Sequence, residues 1–215
     1  MKRFLVFFTF FVFIISSFSS GARAEKNILE ENLDKATIRK LLDFGQILTL
    51  KYDAAGNISH RVCGVLVNAP SDLVWNVLND FKNYDEFIIG MEEPSIGKSG
   101  KGATIVDFVL KIKVLAGIGT TQKYSQMFVP RKPKLFIYDP EKPDREPGFW
   151  SVAPTDDGKT ILFYYDMAPD LNDMGKLISG VAKSKQEFAI ALQVSPVSVL
   201  VNSVKAYAEK KAAKK

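Results

Sequence analysis

The chain has 215 residues, with 29 Lys and Arg against 24 Asp and Glu, for a formal net charge of +5. Three of the positive charges and no acid lie in the first 24 residues, so the rest of the chain is close to neutral. A near-neutral chain lacks the basic stripe of a dedicated nucleic-acid binder. Hydrophobic residues make up 47% and charged residues 25%, which excludes wholesale disorder and fits one large domain or two small ones.

The first 24 residues have the pattern of a secretory signal peptide. Lys2-Arg3 is followed by an apolar run over residues 4–15, and Ala22-Arg23-Ala24 forms an A-x-A cleavage site. We therefore expect cleavage before Glu25. An uncleaved membrane anchor is the alternative, but the apolar run is shorter than the roughly 18–20 residues needed to span a bilayer. The short, Phe-rich segment with its Lys-Arg start is typical of bacteria, so the predicted location is the periplasm, or otherwise outside the cell.

Cysteine and histidine are too few for common catalytic or metal sites. Cys63 is the only cysteine and His60 the only histidine, so no intramolecular disulfide can form. The two residues are three apart on a predicted strand, which places them on opposite faces of a sheet. A Cys-His nucleophile pair is therefore disfavoured, and a surface His with a buried Cys is expected. The chain has no His pair, CxxC or EF-hand loop, so we predict no metal site and no cofactor.

The chain from residue 25 begins with a predicted helix and hairpin. Apolar residues recur at helical spacing over 25–44, and Gly45 is a plausible stop. Residues 46–53 and 58–67 are extended runs joined by a turn-rich tetrapeptide. These features predict an N-terminal helical extension, residues 25–45, followed by a β-hairpin.

Two short helices are predicted next. Pro70 and the adjacent polar residues mark a helix start, and the first helix has a single apolar stripe. A second helix is expected over residues 83–89, ending at Gly90. The residues of the stripe are Leu73, Val74, Val77, Leu78 and Phe81.

From residue 91 to 167 the pattern is that of β-strands. Residues 104–115 alternate strictly, with Phe108 and Leu110 opposite Asp107 and Lys111. Consecutive strands with short turns favour an antiparallel meander. Further strands are predicted at 120–129, 135–139, 149–153 and 161–167.

The C-terminal region ends in a long helix. Residues 187–194 are ambiguous between strand and helix, and Ser195-Pro196 is predicted to be the N-cap and first residue of the last helix. The Lys-rich end of this helix suits either a solvated helix C-terminus or transient contact with an anionic membrane surface. The order of elements predicts an α+β fold in which the terminal helix covers one face of the sheet.

The segment from Val65 to Ile89 resembles the opening of the START-like (helix-grip, SRPBCC) superfamily. The matching residues are Ala69-Pro70, Val74-Trp75, Asp80-Phe81, Tyr84 and Phe87. Phe149-Trp150, followed by Gly158-Lys159-Thr160, resembles the late hairpin of the same proteins. The usual Pro after the second helix is replaced here by Ile89-Gly90. The nearest branch is the polyketide cyclase/dehydrase and coenzyme Q-binding type, and the resemblance covers about residues 46–168.

The resemblance implies a helix-grip fold. Residues 46–215 are then a START-like ligand-binding domain, in which a curved antiparallel sheet wraps around the long C-terminal helix and two short helices follow the first strands. Such a fold encloses a cavity, which either holds an apolar ligand or is filled by a solid core. Strand parity and helix stripes assign these residues to a ligand pocket: Phe87, Phe108, Leu110, Ile112, Gln122, Tyr124, Gln126, Phe128, Phe136, Tyr138, Trp150, Val152, Leu200, Val201 and Val204.

Three functions remain open. The first is a periplasmic binding protein for a hydrophobic small molecule: a lipid, a quinone or an isoprenoid. The second is a cyclase or dehydratase that uses Asp107, Tyr124 or Asp166 as its acid or base. The third is an interaction module with a filled core, since residues 161–165 are apolar on both faces and need cover on both. Residues 169–194 or a partner would supply the outer cover, or Leu177, Ile178 and Val181 of that segment would instead form a mobile lid at the pocket mouth. The oligomeric state is left open.

Overall fold

A computed structural model describes residue 29 and residues 32–98, 102–115, 118–167 and 186–214. Within these ranges, the side chains of residues 98, 112–115, 118–120, 186–189 and 192 are not described. The predicted signal peptide and the whole segment between the last strand and the last helix, residues 168–185, lie outside the described residues.

The described chain forms one eight-stranded sheet in which all neighbouring strands are antiparallel. Its spatial order is β1-β2-β8-β7-β6-β5-β4-β3, so the first hairpin joins the meander through the pairing of β2 with β8. The strands are β1 Ile47–Tyr52, β2 Ile58–Val67, β3 Ser95–Lys98, β4 Thr104–Leu115, β5 Ile118–Arg131, β6 Lys134–Tyr138, β7 Gly148–Pro154 and β8 Thr160–Met167.

Within the described ranges, three longer α-helices and one 3-10 helix accompany the sheet. Helix α1 begins after Asp34, whose side chain accepts a hydrogen bond from the Thr37 backbone N–H at 2.9 Å. Gly45, with φ 149°, follows its last residue and confirms the predicted stop. The helices are α1 Lys35–Phe44, α2 Ser71–Asn79, the 3-10 helix Phe81–Glu86 and α3 Gln186–Ala212.

Helix α3 begins earlier than the sequence predicts. It runs from Gln186, and Pro196 lies inside it, so the assignment of Ser195-Pro196 to the helix start is wrong. An interior proline removes a helix hydrogen bond and costs about 3 kcal/mol. Packing of the helix against the sheet and α2 offsets that cost, since Val197 and Val201 are fully buried.

The inner face of the sheet packs against α2 and α3 to form the main core. Val65 and Leu162, from the paired strands β2 and β8, contact the valine stripe of α3 in this cluster. The curved antiparallel sheet and the long terminal helix confirm the predicted helix-grip α+β architecture.

Part of the outer face of the sheet, over β2, β7 and β8, is covered by α1. Ile38 and Leu42 of this helix, each 3% exposed, pack against Phe149 and Phe163 of the sheet. Gly64 leaves room for the Phe163 ring, which a β-carbon at this position would meet. Among the described residues, the apolar outer side of β8 is therefore buried by the N-terminal extension of the chain itself.

No helix within the described residues is long and apolar enough to cross a membrane.

Candidate functional site

A cavity of about 980 Å³ lies between the inner face of the sheet and α3. Its walls come from the 3-10 helix and the loop after it, strands β4 to β8, and the middle of α3. They are largely apolar, as is usual for a small-molecule site of this size. The lining residues are Tyr84, Ile88, Ile89, Gly90, Met91, Glu92, Phe108, Leu110, Lys111, Tyr124, Gln126, Phe128, Ile137, Trp150, Tyr164, Ser195, Pro196, Val199 and Leu200.

Aromatic rings form one continuous wall of this cavity. Phe108 on β4 and Tyr124 on β5 are direct partners in the strand register, with ring centroids 5.4 Å apart. The Phe108 ring also meets Phe128 edge-on at 6.1 Å and stacks on Tyr84 at 6.0 Å. Aromatic rings in these geometries attract one another, and this attraction adds to the stabilisation that comes from burying their surface. The wall is therefore held in place without a ligand.

Exposed apolar side chains line part of the cavity. Ile89 is 79% exposed and Val199 on α3 is 48% exposed, yet both contribute to the lining. Gly90 holds the loop close to β4, because the Lys111 backbone N–H donates to the Gly90 carbonyl at 2.8 Å. Gly90 has a φ of 82° and a β-carbon there would meet the Lys111 carbonyl. This tight contact positions Ile89 at the solvent-facing part of the cavity.

Two polar side chains on the inner face of β5 have no hydrogen-bond partner among the described residues. They are the hydroxyl of Tyr124 and the side-chain amide of Gln126, two residues further along. Burial raises the pKa of Tyr124 to about 12, so its hydroxyl is protonated at neutral pH. The hydroxyl can donate one hydrogen bond, and the amide can both donate and accept.

A smaller cavity of about 300 Å³ adjoins the first one where the sheet opens. Strand β5 pairs with β6 only from Met127 onward, and β6 ends at Tyr138. Residues 118–126 of β5 therefore have β4 as their only strand partner, which leaves a gap toward β7 and β8. The two cavities share four lining residues, namely Tyr124, Gln126, Ile137 and Tyr164.

A buried ion pair lines the smaller cavity. Arg61, 5% exposed, donates from Nε to Asp166 Oδ1 at 2.8 Å and from a second nitrogen to the other carboxylate oxygen. It also donates to the Gln193 carbonyl on α3, and the Tyr164 hydroxyl donates to Asp166 at 3.3 Å. Burial raises the pKa of Asp166, and the Arg61 guanidinium opposes that shift. The pair joins β2, β8 and α3 at this end of the cavity.

The structure brings seven of the fifteen predicted pocket residues to the main cavity. These are Phe108, Leu110, Tyr124, Gln126, Phe128, Trp150 and Leu200. Val152, Val201 and Val204 face the same side but are buried in the core and do not line the cavity. Phe87 does not line the cavity either: its ring stacks on that of Tyr207, with the ring centroids 4.5 Å apart.

Two further predicted pocket residues do not reach the main cavity. Gln122 is half-buried and lines neither cavity. The side chain of Ile112 lies outside the described residues.

The assignment of Phe136 to the inner face is wrong, because Phe136 packs in the outer cluster with its ring centroid 5.9 Å from that of Phe149. Tyr138 has the same parity and does not line the main cavity, but it lines the smaller one, with its ring centroid 6.5 Å from that of Phe136. The inward residues of β6 are Leu135 and Ile137. Side chains alternate with a period of two, so an error of one residue in parity exchanges the two faces of a strand. In this five-residue strand both parities are apolar, so the pattern did not identify the inner one.

The three candidate acid–base residues lie in different surroundings. Asp107 is exposed on the outer side of β4, where it accepts a hydrogen bond from Ser125. Asp166 is engaged by Arg61 and lines only the smaller cavity. Tyr124 alone lines the main cavity. His60 and Cys63 lie on opposite faces as predicted: His60 stacks on Tyr165 and Cys63 is buried in the inner core.

Several residues around the cavities were not predicted from the sequence. Arg61 is a lone charge within the apolar run of β2, and that position was the signal that could have identified it. Tyr164 lies on a strand without clear parity. Pro196 and Val199 were missed because the helix was expected to begin at Ser195-Pro196. No group of three His, Cys, Asp or Glu residues suited to a metal ion occurs among the residues that the structure describes.

Comparisons with known proteins identify the fold. No family model matches the sequence, and no curated protein matches it. Among solved structures, Zhui aromatase/cyclase from a Streptomyces species aligns with a TM-score of 0.52 and 21% identity, covering 71% of this chain and 94% of its own. The di-domain ARO/CYC StfQ, from the steffimycin biosynthetic pathway, aligns with a TM-score of 0.50 and 13% identity, and the alignment covers 72% of this chain and 52% of the StfQ chain. The protein therefore has a START-like helix-grip fold.

Proposed function

We propose that this protein binds a hydrophobic small molecule, such as a lipid, a quinone or an isoprenoid, in the cavity between the sheet and α3. The observation that carries the proposal is the cavity itself, with about 980 Å³ of space behind a wall of aromatic and aliphatic side chains. A solid core would fill this space, since protein interiors are close-packed. The proposed location is the periplasm, after removal of residues 1–24, and rests on the signal-peptide pattern of the sequence.

Native mass spectrometry tests both parts of the proposal. The full chain is expressed in a bacterial host and purified from the periplasmic fraction without detergent. We expect the mass of Glu25–Lys215 with a bound adduct that extracts into organic solvent. A bare mass, after incubation with a lipid extract, would contradict ligand binding. A mass that retains residues 1–24 would contradict cleavage.

A pair of variants localises the binding. Leu110→Trp places a large ring at a half-buried position in the cavity wall, so we expect the adduct to be lost. Leu41→Trp makes the same change on α1, where Leu41 is 42% exposed and remote from the cavity, and the adduct should remain. Equal adduct levels in the two variants would contradict the assignment of the cavity as the binding site.

An enzymatic function of the cyclase or dehydratase type has less support. It is favoured by the fold shared with Zhui aromatase/cyclase and by Tyr124, whose hydroxyl faces the cavity. A tyrosine with a pKa of about 12 is a weak acid and holds almost no phenolate at neutral pH. Turnover would be seen as an adduct whose mass changes with time, and Tyr124→Phe would abolish that change.

A further inference from the structure

We propose that the ligand carries an uncharged polar group, a hydroxyl or a carbonyl, which binds at the junction of the two cavities. This inference rests on the proposed function and specifies the class of ligand. The larger cavity holds the apolar part of the molecule, and Tyr124 and Gln126 hold its polar end.

The unpartnered polar groups lie where the two cavities meet. Tyr124 and Gln126 line both cavities, and neither side chain has a hydrogen-bond partner among the described residues. Both side chains are half-buried, so solvent reaches them in the free protein, and a ligand that covers them without replacing those hydrogen bonds loses affinity. A polar group on the ligand therefore contributes most to affinity when it forms hydrogen bonds with these two residues.

The charges around the junction disfavour an anionic group. Arg61, the buried cation, is already engaged by both carboxylate oxygens of Asp166 and by a backbone carbonyl of α3. Its charge is therefore compensated, and three of its five N–H donors are in use. The other charged residues of the smaller cavity include two cations and three anions, so they supply no net attraction for a carboxylate or phosphate: Lys123, Arg145, Asp139, Glu141 and Glu146.

The donors and acceptors at the junction match a hydroxyl or a carbonyl. The Tyr124 hydroxyl donates, and the Gln126 amide donates from its nitrogen and accepts at its oxygen. A ligand hydroxyl can use both kinds of partner, and a carbonyl can accept from both residues. A carboxylate can only accept, and it would lose its hydration without gaining a cation.

A matched pair of probes tests the inference on the full chain. Dodecanol and dodecanoate have the same chain length, and at pH 8.5 they differ in the charge of the polar end. Binding is followed through tryptophan fluorescence in a Trp75→Phe background, so that the signal comes from Trp150, which lines the cavity and is 3% exposed. We expect dodecanol to bind at least about tenfold more tightly than dodecanoate. Equal affinities, or tighter binding of dodecanoate, would overturn the inference.

Variants and a hydrocarbon probe locate the polar contact. Tyr124→Phe and Gln126→Leu should each weaken dodecanol binding by roughly five- to tenfold. Gln122→Leu is the matched control, because Gln122 lies on the same face of β5 but lines neither cavity, and dodecanol binding should not change. Diphenylhexatriene, which has no polar group, should bind the wild type and all three variants equally.

The outcomes separate this inference from the proposed function. Failure of dodecanol, dodecanoate and diphenylhexatriene alike to bind the wild type would overturn the proposed function. Binding of diphenylhexatriene with no preference for the alcohol would overturn only the inference. An alcohol preference that survives both junction variants would overturn the placement of the polar group. The comparison of the two probes needs neither junction variant, so poor folding of either one would still leave a decisive result.

Discussion

Arg61 on β2 and Asp166 on β8 face each other in the strand register, and the guanidinium donates two hydrogen bonds to the carboxylate. Both side chains lie on the inner face of the sheet, where Arg61 also reaches the backbone of α3. The pair therefore connects the hairpin, the meander and the terminal helix. Burying two charges is costly, and these charges compensate one another only while both are present.

Removal of one partner of this pair should destabilise the protein strongly. We expect Arg61→Met to lower the free energy of unfolding by roughly 3–5 kcal/mol, because Asp166 is left buried without its cation. The double variant Arg61→Met, Asp166→Leu should be more stable than Arg61→Met alone. Urea unfolding of the wild type and the variants measures both effects. A double variant as unstable as the sum of the single changes would contradict this account.

Truncation of the aromatic wall should affect stability as well as binding. Phe108 is 2% exposed and packs against three other rings, so Phe108→Ala should lower the free energy of unfolding by about 3–5 kcal/mol. Leu110→Ala should lower the free energy of unfolding by less, because Leu110 is half-buried at the edge of the cavity. Thermal unfolding followed by circular dichroism ranks the two variants. Equal costs would show that Leu110 is packed as tightly as the core.

The thiol of Cys63 should be unreactive in the folded protein. Cys63 is fully buried, and burial raises its pKa to about 11, while the Gln46 amide donates to its sulfur at 2.6 Å. Because the pKa is raised, the thiol stays protonated until the pH approaches that value, and the nucleophilic thiolate is scarce at pH 8. Ellman's reagent at pH 8 should label the unfolded chain in guanidinium at once and the native protein only slowly. Rapid labelling of the native protein would show that the β1–β2 edge opens.

The contact between α1 and the sheet should depend on apolar packing more than on charge. Leu42 is 3% exposed in the outer cluster, so Leu42→Ala should lower the free energy of unfolding by roughly 2–5 kcal/mol. Arg39 donates to both carboxylate oxygens of Asp157 in the β7–β8 turn, but exposed ion pairs are screened by salt. Arg39→Ala should therefore shift the urea midpoint much less than Leu42→Ala at physiological salt. A larger shift of the urea midpoint in Arg39→Ala than in Leu42→Ala would show that the ion pair, and not apolar packing, holds α1 on the sheet.

The ion pair should make this attachment sensitive to acid. The Arg39 guanidinium, assisted by Thr155 and Lys159, holds the pKa of Asp157 well below its usual range. A carboxyl group with a lowered folded pKa stabilises the native state above its unfolded pKa of about 4, and this contribution is lost as the pH falls further. After correction for the intrinsic exchange rate at each pH, the protection of the α1 amides at low salt should fall more below pH 4 in the wild type than in Asp157→Asn. Identical pH profiles would contradict a role for Asp157.

Strand patterns and helix stripes were reliable where one face of an element is clearly apolar. The β1–β2 hairpin, α2 and the alternating strand β4 lie where the sequence predicts them, because the spacing of apolar residues in each element matches only one type of secondary structure. The inner face of β6 was predicted wrongly because apolar residues occupy both parities of this strand. The predicted start of α3 was wrong because proline is preferred in the first turn of a helix. In the structure, packing of the helix against the sheet offsets the cost of an interior proline, and the helix continues through Pro196.

The predicted cavity lining shows the same division. Residues on the long strands β4 and β5, such as Phe108 and Tyr124, reached the cavity because alternation along a long strand has one consistent phase. Phe136 did not reach the cavity because both parities of its short strand are apolar and it lies on the outer face. Val204 faces inward but does not border the cavity, and facing inward and lining a cavity are different properties. Which inward residues fill the core depends on how close the opposing element comes, and strand parity carries no information about that distance.

The sequence by itself determined the class of fold and the order of its elements, since hydrophobic period, turn residues and the Ala69-Pro70 to Phe87 motif are local features. The tertiary structure decided what covers the outer face of β8, where the cavity lies, and that Arg61 and Asp166 form a pair 105 residues apart in the chain. These depend on strand order and on the packing of distant elements. A local pattern can predict that a residue is buried, but its partner is decided by the long-range pairing of strands.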